Sequence, residues 1–120
     1  MVLLGNDYRI DFNKADKITG ITKLHNSLIA INYTNGTGDS SNAQKASIHS
    51  HLKGKDEFIT ATDICTLKLY GKFTTWETHY VISSTYVSIW DIKKEKLVLL
   101  TRAAWDRINE DQKTRYPEKN

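Results

Sequence analysis

The chain has 120 residues, 39% of them hydrophobic and 26% charged, with a formal net charge of +3. This is the composition of a folded protein of one domain's length, with material for one real core and little more. A single cysteine, Cys65, excludes an intramolecular disulfide, and no stretch is long and apolar enough to span a bilayer.

Met1-Val2-Leu3-Leu4 is too short for a signal sequence and lacks a basic start. The chain is therefore expected to be cytoplasmic or a domain excised from a longer exported protein. Tyr8 to Phe12 alternates and reads as a strand, and Lys17 to His25 as a second, with Gly20 as a bulge or turn. His25 stands beside Asn26 at a turn and receives no role. Leu28 to Tyr33 is β-rich, and Thr34 to Asn42, with Asn35-Gly36 and Gly38-Asp39, is a polar loop. Gly36 and Gly38 lack the strand-to-helix setting and third glycine of a phosphate loop.

Lys45 to His51 is a short strand ending in histidines, and Leu52 to Ile59 a charged loop with Gly54. Thr60 to Tyr70 reads as a helix with Ile64, Leu67 and Tyr70 towards one face and Gly71 ending it. Cys65 within it reads as a small buried hydrophobe. Thr78 to Ser83 and Tyr86 to Ile92 are strands joined by a tight turn at Ser83-Ser84-Thr85. Lys93-Lys94-Glu95-Lys96 is a solvated turn, and Lys96 to Leu100 a last strand. Thr101 caps a final helix from Arg102 to about Tyr116, with Ala103, Trp105, Ile108 and Asn109 near one side, and Pro117 stops it. The expected fold is α/β (α+β), a mixed central sheet with one helix after the histidine strand and one at the C-terminus, in a single domain over residues 1–120.

The chemistry gathers at His49 and His51. Residues two apart on a strand point to the same face, so both imidazoles can reach one metal ion. Such a pair also occurs as plain polar residues on an exposed strand. Asp63, 14 residues beyond His49 in the first turn of the following helix, can fold back to complete a His, His, Asp set. Three protein ligands with one open position is the arrangement of catalytic zinc, which makes water a usable nucleophile near neutral pH. Thr60-x-x-Asp63 equally fits a capped helix start. His79 opens a strand and reads as a surface histidine, a supporting contact to the metal ligands being the alternative. The three tryptophans and six tyrosines fit core packing better than base stacking.

His49-Ser50-His51, then Thr60-Ala61-Thr62-Asp63, then His79-Tyr80-Val81-Ile82-Ser83 in a hairpin, resembles the JAMM (MPN, JAB) metalloprotease family. The likeness runs from about Lys45 to Asp91. It implies JAMM/cytidine-deaminase-like layers, with Zn2+ bound by His49, His51 and Asp63. It implies Thr60 in the place of the family's oxyanion-stabilising serine, and cleavage of a peptide or isopeptide bond in a protein substrate. It also implies kinship with small domains of bacterial secreted toxins and mobile-element proteins. Three features depart from the pattern. Leu52 replaces a proline, the gap before Thr60 is one residue longer than the commonest form, and no glutamate precedes His49 to serve as general base. Asp7 is the best stand-in by position, with Asp11 second. Two further readings are a catalytically degenerate JAMM-fold interaction module and a small basic protein that binds single-stranded nucleic acid. The scattered lysines argue against the latter, no membrane partner is expected, and oligomeric state is left open.

Overall fold

A computed structural model describes all residues except Asn26, 33–42 and 118–120. The loop expected over Thr34 to Asn42 lies outside the described residues. The chain divides into two units, Met1–Gln44 with Ala61–Thr75, and Lys45–Thr60 with Trp76–Asn120.

In the first unit, β1 (Val2–Leu4) pairs antiparallel with β4 (Ile29–Ile31), Val2 opposite Ile31 and Leu4 opposite Ile29. Val2 and Leu4 are buried, so the apolar start of the chain is a core strand. β2 (Tyr8–Phe12) and β3 (Ile18–Lys23) form an antiparallel hairpin. Its register slips between Asp11 and Phe12, opposite Gly20 and Ile18, which makes the expected irregularity at Gly20 a β-bulge. Asn13 closes the turn, its side-chain oxygen accepting from the backbone N–H of Ala15 and of Lys17. α1 (Ala61–Tyr70) packs on β1 and continues into a 3-10 turn, Gly71–Phe73, so Gly71 changes the helix type at the point where it was expected to end it. Its buried residues are Asp63 and Leu67, one helical turn apart, and Tyr70 is exposed. Cys65, two residues from each, falls on the opposite side of the helix and is exposed, which corrects its reading as a buried hydrophobe.

In the second unit, four strands follow the order β5 (Ala46–Ser50), β6 (Thr78–Ile82), β7 (Tyr86–Asp91) and β8 (Lys96–Thr101). β5 and β6 are parallel and the other pairs antiparallel, so this sheet is mixed, as expected. Val81, Val87, Trp76 and Trp90 fill its core. α2 (Arg102–Arg115) follows β8, with the Thr101 hydroxyl accepting from the Ala104 N–H at 3.2 Å as an N-cap. No residue of α2 is fully buried. Trp105 meets Tyr80 with ring centroids 5.5 Å apart, on the face of β6 opposite His79. The loop between β5 and α1 is tied to the sheet at two points. The Ile59 N–H donates to Ser88 Oγ at 3.0 Å, and Glu57 accepts from Ser83 Oγ at 2.9 Å and Ser84 Oγ at 3.2 Å. The protein is thus of mixed α+β class, with sheets and two helices. Among the described residues no helix is long and apolar enough to cross a membrane.

Candidate metal centre

β5 inverts the usual burial pattern of a strand. Ile48 is 55% exposed, while Ser47 and His49 are buried, and so is His51 just beyond the strand end. Burying three polar side chains and exposing an isoleucine costs stability unless the polar groups are paired, so each of them needs a partner. Pairing is present throughout. The parallel register sets Ser47 beside His79 and His49 beside Val81. The His51 N–H donates to the Ile82 carbonyl at 2.9 Å and extends the ladder by one residue, which holds His51 on the same face as His49.

The side chains then form a chain of contacts. Ser47 Oγ lies 2.6 Å from His79 Nδ1, His79 Nε2 lies 2.9 Å from His49 Nδ1, and His49 Nε2 lies 3.2 Å from His51 Nε2. His51 Nδ1 lies 2.9 Å from the Asp56 carbonyl oxygen. A carbonyl only accepts, so His51 carries its proton on Nδ1 and, when neutral, presents a lone pair at Nε2. Two imidazole nitrogens bound to one tetrahedral ion at about 2.0–2.1 Å stand about 3.3–3.4 Å apart, close to the separation of the two Nε2 atoms. His79 is completely buried, with Trp76 stacked over it at 6.5 Å, which corrects its reading as a surface histidine.

The first unit holds a buried group of its own. Asp63 is the third residue of α1 and only 1% exposed, in the helical turn where free backbone N–H groups favour a carboxylate. His25 is also buried. Its Nδ1–H donates to Asp7 Oδ1 at 2.7 Å, and its Nε2 faces Asp63 Oδ1 at 3.6 Å. The hairpin register brings Asp7 and His25 together, since the Leu24 N–H donates to the Asp7 carbonyl at 3.1 Å. Gly5 makes the approach possible. Its φ is +86°, and a Cβ there would run into the Ser27 carbonyl oxygen and come within 3.2 Å of His25 Cβ.

His49 and His51 in one unit, and His25 and Asp63 in the other, are all buried, and each offers one ligand atom. Such groups can hold a metal ion. The donor types, imidazole and carboxylate, suit divalent transition metals, zinc among them. Each imidazole also has its Nδ1 engaged by a protein group, which leaves Nε2 as the ligand atom. Outer contacts of this type orient metal-binding histidines.

The other expected site residues are placed as follows. Asp7 sits behind His25 as its hydrogen-bond acceptor. Asp11 is an exposed hairpin residue paired with Arg9 at 3.3 Å. Thr60 is half-buried and directly precedes α1. His25 was not singled out from the sequence. The signal that could have found it is the hairpin itself, whose β2–β3 pairing places the residues flanking Tyr8 and Lys23 together. Comparison with protein families, with curated proteins and with solved structures gives no match for the chain.

Proposed function

We propose that the chain is a zinc-dependent, JAMM-like hydrolase domain acting on peptide or isopeptide bonds. The observation that carries the reading is that each unit holds a buried pair of ligand groups whose imidazoles are already oriented by other groups, His49 with His51 in one and His25 with Asp63 in the other. His49, His51 and Asp63 are the zinc ligands. A bound zinc ion supplies Lewis acidity to the site. Thr60, at the start of α1, stands where the resemblance puts the oxyanion donor. The missing glutamate is replaced by a pair rather than by Asp7 alone. Asp7 holds the Nδ1–H of His25, and the Nε2 lone pair of His25 is the proton acceptor, the arrangement of a base with its orienting carboxylate.

A second reading has its own support. His25 is buried beside Asp63 and oriented by Asp7, so it is itself a metal-binding group, and as a fourth protein ligand it would close the coordination sphere, as in structural zinc sites. The domain would then be a metal-stabilised interaction module. His25→Ala separates the two. The hydrolase reading expects zinc affinity within a few-fold of wild type and loss of cleavage of fluorogenic peptide and lysine-linked isopeptide probes. The module reading expects zinc affinity to fall as far as in His49→Ala, with no cleavage by wild type. Zinc affinity unchanged in both His49→Ala and Asp63→Asn sinks both readings.

A further inference from the structure

The chain Ser47, His79, His49, His51, Asp56 contains more histidine than metal ligation uses. His79 offers no atom to the metal set, yet it is the most deeply buried imidazole and is bonded at both nitrogens. We infer that His79 is a positioning residue for His49, and that the Ser47–His79–His49 chain reverses its hydrogen-bond direction when a metal ion binds. The inference rests on the metal reading above and assigns a role that reading does not need.

The argument is one of donors and acceptors. A neutral imidazole has one N–H and one lone pair, so each contact needs a donor on one side and an acceptor on the other. In the metal-free protein with neutral His51, the Asp56 carbonyl fixes the His51 proton on Nδ1. His51 Nε2 is then an acceptor, and the contact at 3.2 Å requires the His49 proton on Nε2. His49 Nδ1 must accept, so His79 donates from Nε2. His79 Nδ1 must accept in turn, so the Ser47 hydroxyl donates to it at 2.6 Å. The chain runs in one direction from Ser47 to Asp56.

Metal ligation by His49 Nε2 is incompatible with that direction, because Nε2 must then present its lone pair. The proton leaves His49 Nε2 for solvent, His79 passes its Nε2 proton to His49 Nδ1, and His79 Nδ1 takes the proton of Ser47. The Ser47 hydroxyl regains a proton from water. The chain holds as many protons as before, and no net charge is created in a buried place. His49 now donates to His79, and His79 to Ser47. Without His79, the Nδ1–H of ligating His49 would lose the acceptor that stands 2.9 Å from it, which opposes binding. A serine at 47 serves because a hydroxyl both donates and accepts, so both directions are satisfied.

The test is long-range proton–nitrogen NMR on 15N-labelled wild-type protein, metal-free and with one equivalent of zinc. His79 is expected as the Nε2–H tautomer without zinc and as Nδ1–H with it. The His79→Phe variant keeps the ring shape and loses both contacts. Its zinc affinity is expected to fall about 10–100-fold. His79→Gln, whose side-chain oxygen can still accept from His49, recovers part of that loss. Ser47→Ala removes the buried hydroxyl that can both donate to and accept from His79 Nδ1, so it lowers zinc affinity and the metal-free melting temperature together. Zinc bound at one equivalent with an unchanged His79 tautomer overturns the reversal and leaves the metal site standing. Failure of wild type to bind zinc overturns the metal site and the reversal with it.

Discussion

Gly5→Ala tests how the His25 side of the site is held. Gly5 has φ +86°, a region that costs an L-residue about 1–2 kcal/mol. Its new Cβ would also strike the Ser27 carbonyl oxygen, which is backbone and cannot swing aside, and would crowd His25 Cβ at 3.2 Å. Strain and displacement together amount to about 2–4 kcal/mol. For a chain of this length each kcal/mol lowers the melting temperature by about 3–6 °C, so a fall of about 6–24 °C is expected. Gly5→Asn separates the two contributions, because asparagine tolerates positive φ but still carries a Cβ. If the collision dominates, Asn and Ala destabilise alike. If φ strain dominates, Asn recovers about 1 kcal/mol. The assay is thermal unfolding of metal-free protein by circular dichroism, with zinc titration alongside. Displacement of the segment bearing His25 should weaken the function His25 serves, be it zinc affinity or cleavage. A Gly5→Ala protein that melts within 2 °C of wild type refutes the close packing of Gly5 on Ser27 and His25.

Glu57 is held below its ordinary value of 4.5, first by the Ser83 hydroxyl that donates to it, with Thr85 and Ser84 assisting. A depressed carboxylate stabilises the fold above its ordinary value and loses that contribution as pH falls through the lowered value. Proteolysis within residues 52–59 should therefore rise as pH drops below 4.5, and Glu57→Gln should show the faster cleavage at neutral pH with that pH dependence removed. Cys65 is exposed on α1, so iodoacetamide should modify it fully in native protein with zinc affinity unchanged; protection from modification contradicts its placement. Asp7→Asn replaces a charge-assisted hydrogen bond to His25 with a neutral one, a loss of about 1–1.5 kcal/mol. About a tenfold fall in cleavage rate with unchanged zinc affinity is expected from the hydrolase reading, and an unchanged cleavage rate excludes Asp7–His25 as the base.

The parts of the fold set by local pattern were legible in the sequence. The Thr101 cap, the hairpin from Thr78 to Asp91 and the helix after Thr60 follow from short-range signals, and each is present. The parts set by distant pairing were not. Val2–Leu4 is a core strand only because Ile29–Ile31 lies beside it, a pairing that no short window reveals. The burial of His79 depends on its parallel alignment with Ser47, 32 residues earlier. Viewed alone, a histidine at a strand start has no reason to be inside. Cys65 was misjudged because an apolar-looking stretch does not say which side of the helix is covered. That side is fixed by Asp63 and Leu67, and the buried member that sets it is a carboxylate. The metal set was half legible for the same reason. His49 and His51 share a strand and Asp63 follows at short range, whereas His25 reaches Asp63 through a hairpin that also carries Asp7. The missing glutamate was visible in the sequence; the Asp7–His25 pair proposed to replace it was not.

The most direct test of the central claim is zinc content. Protein purified without chelator and analysed by elemental mass spectrometry should carry about one zinc per chain, and His49→Ala and Asp63→Asn should each lose it while retaining the wild-type circular dichroism spectrum. Wild-type protein without zinc, both as purified and after incubation with excess zinc and desalting, would contradict the account.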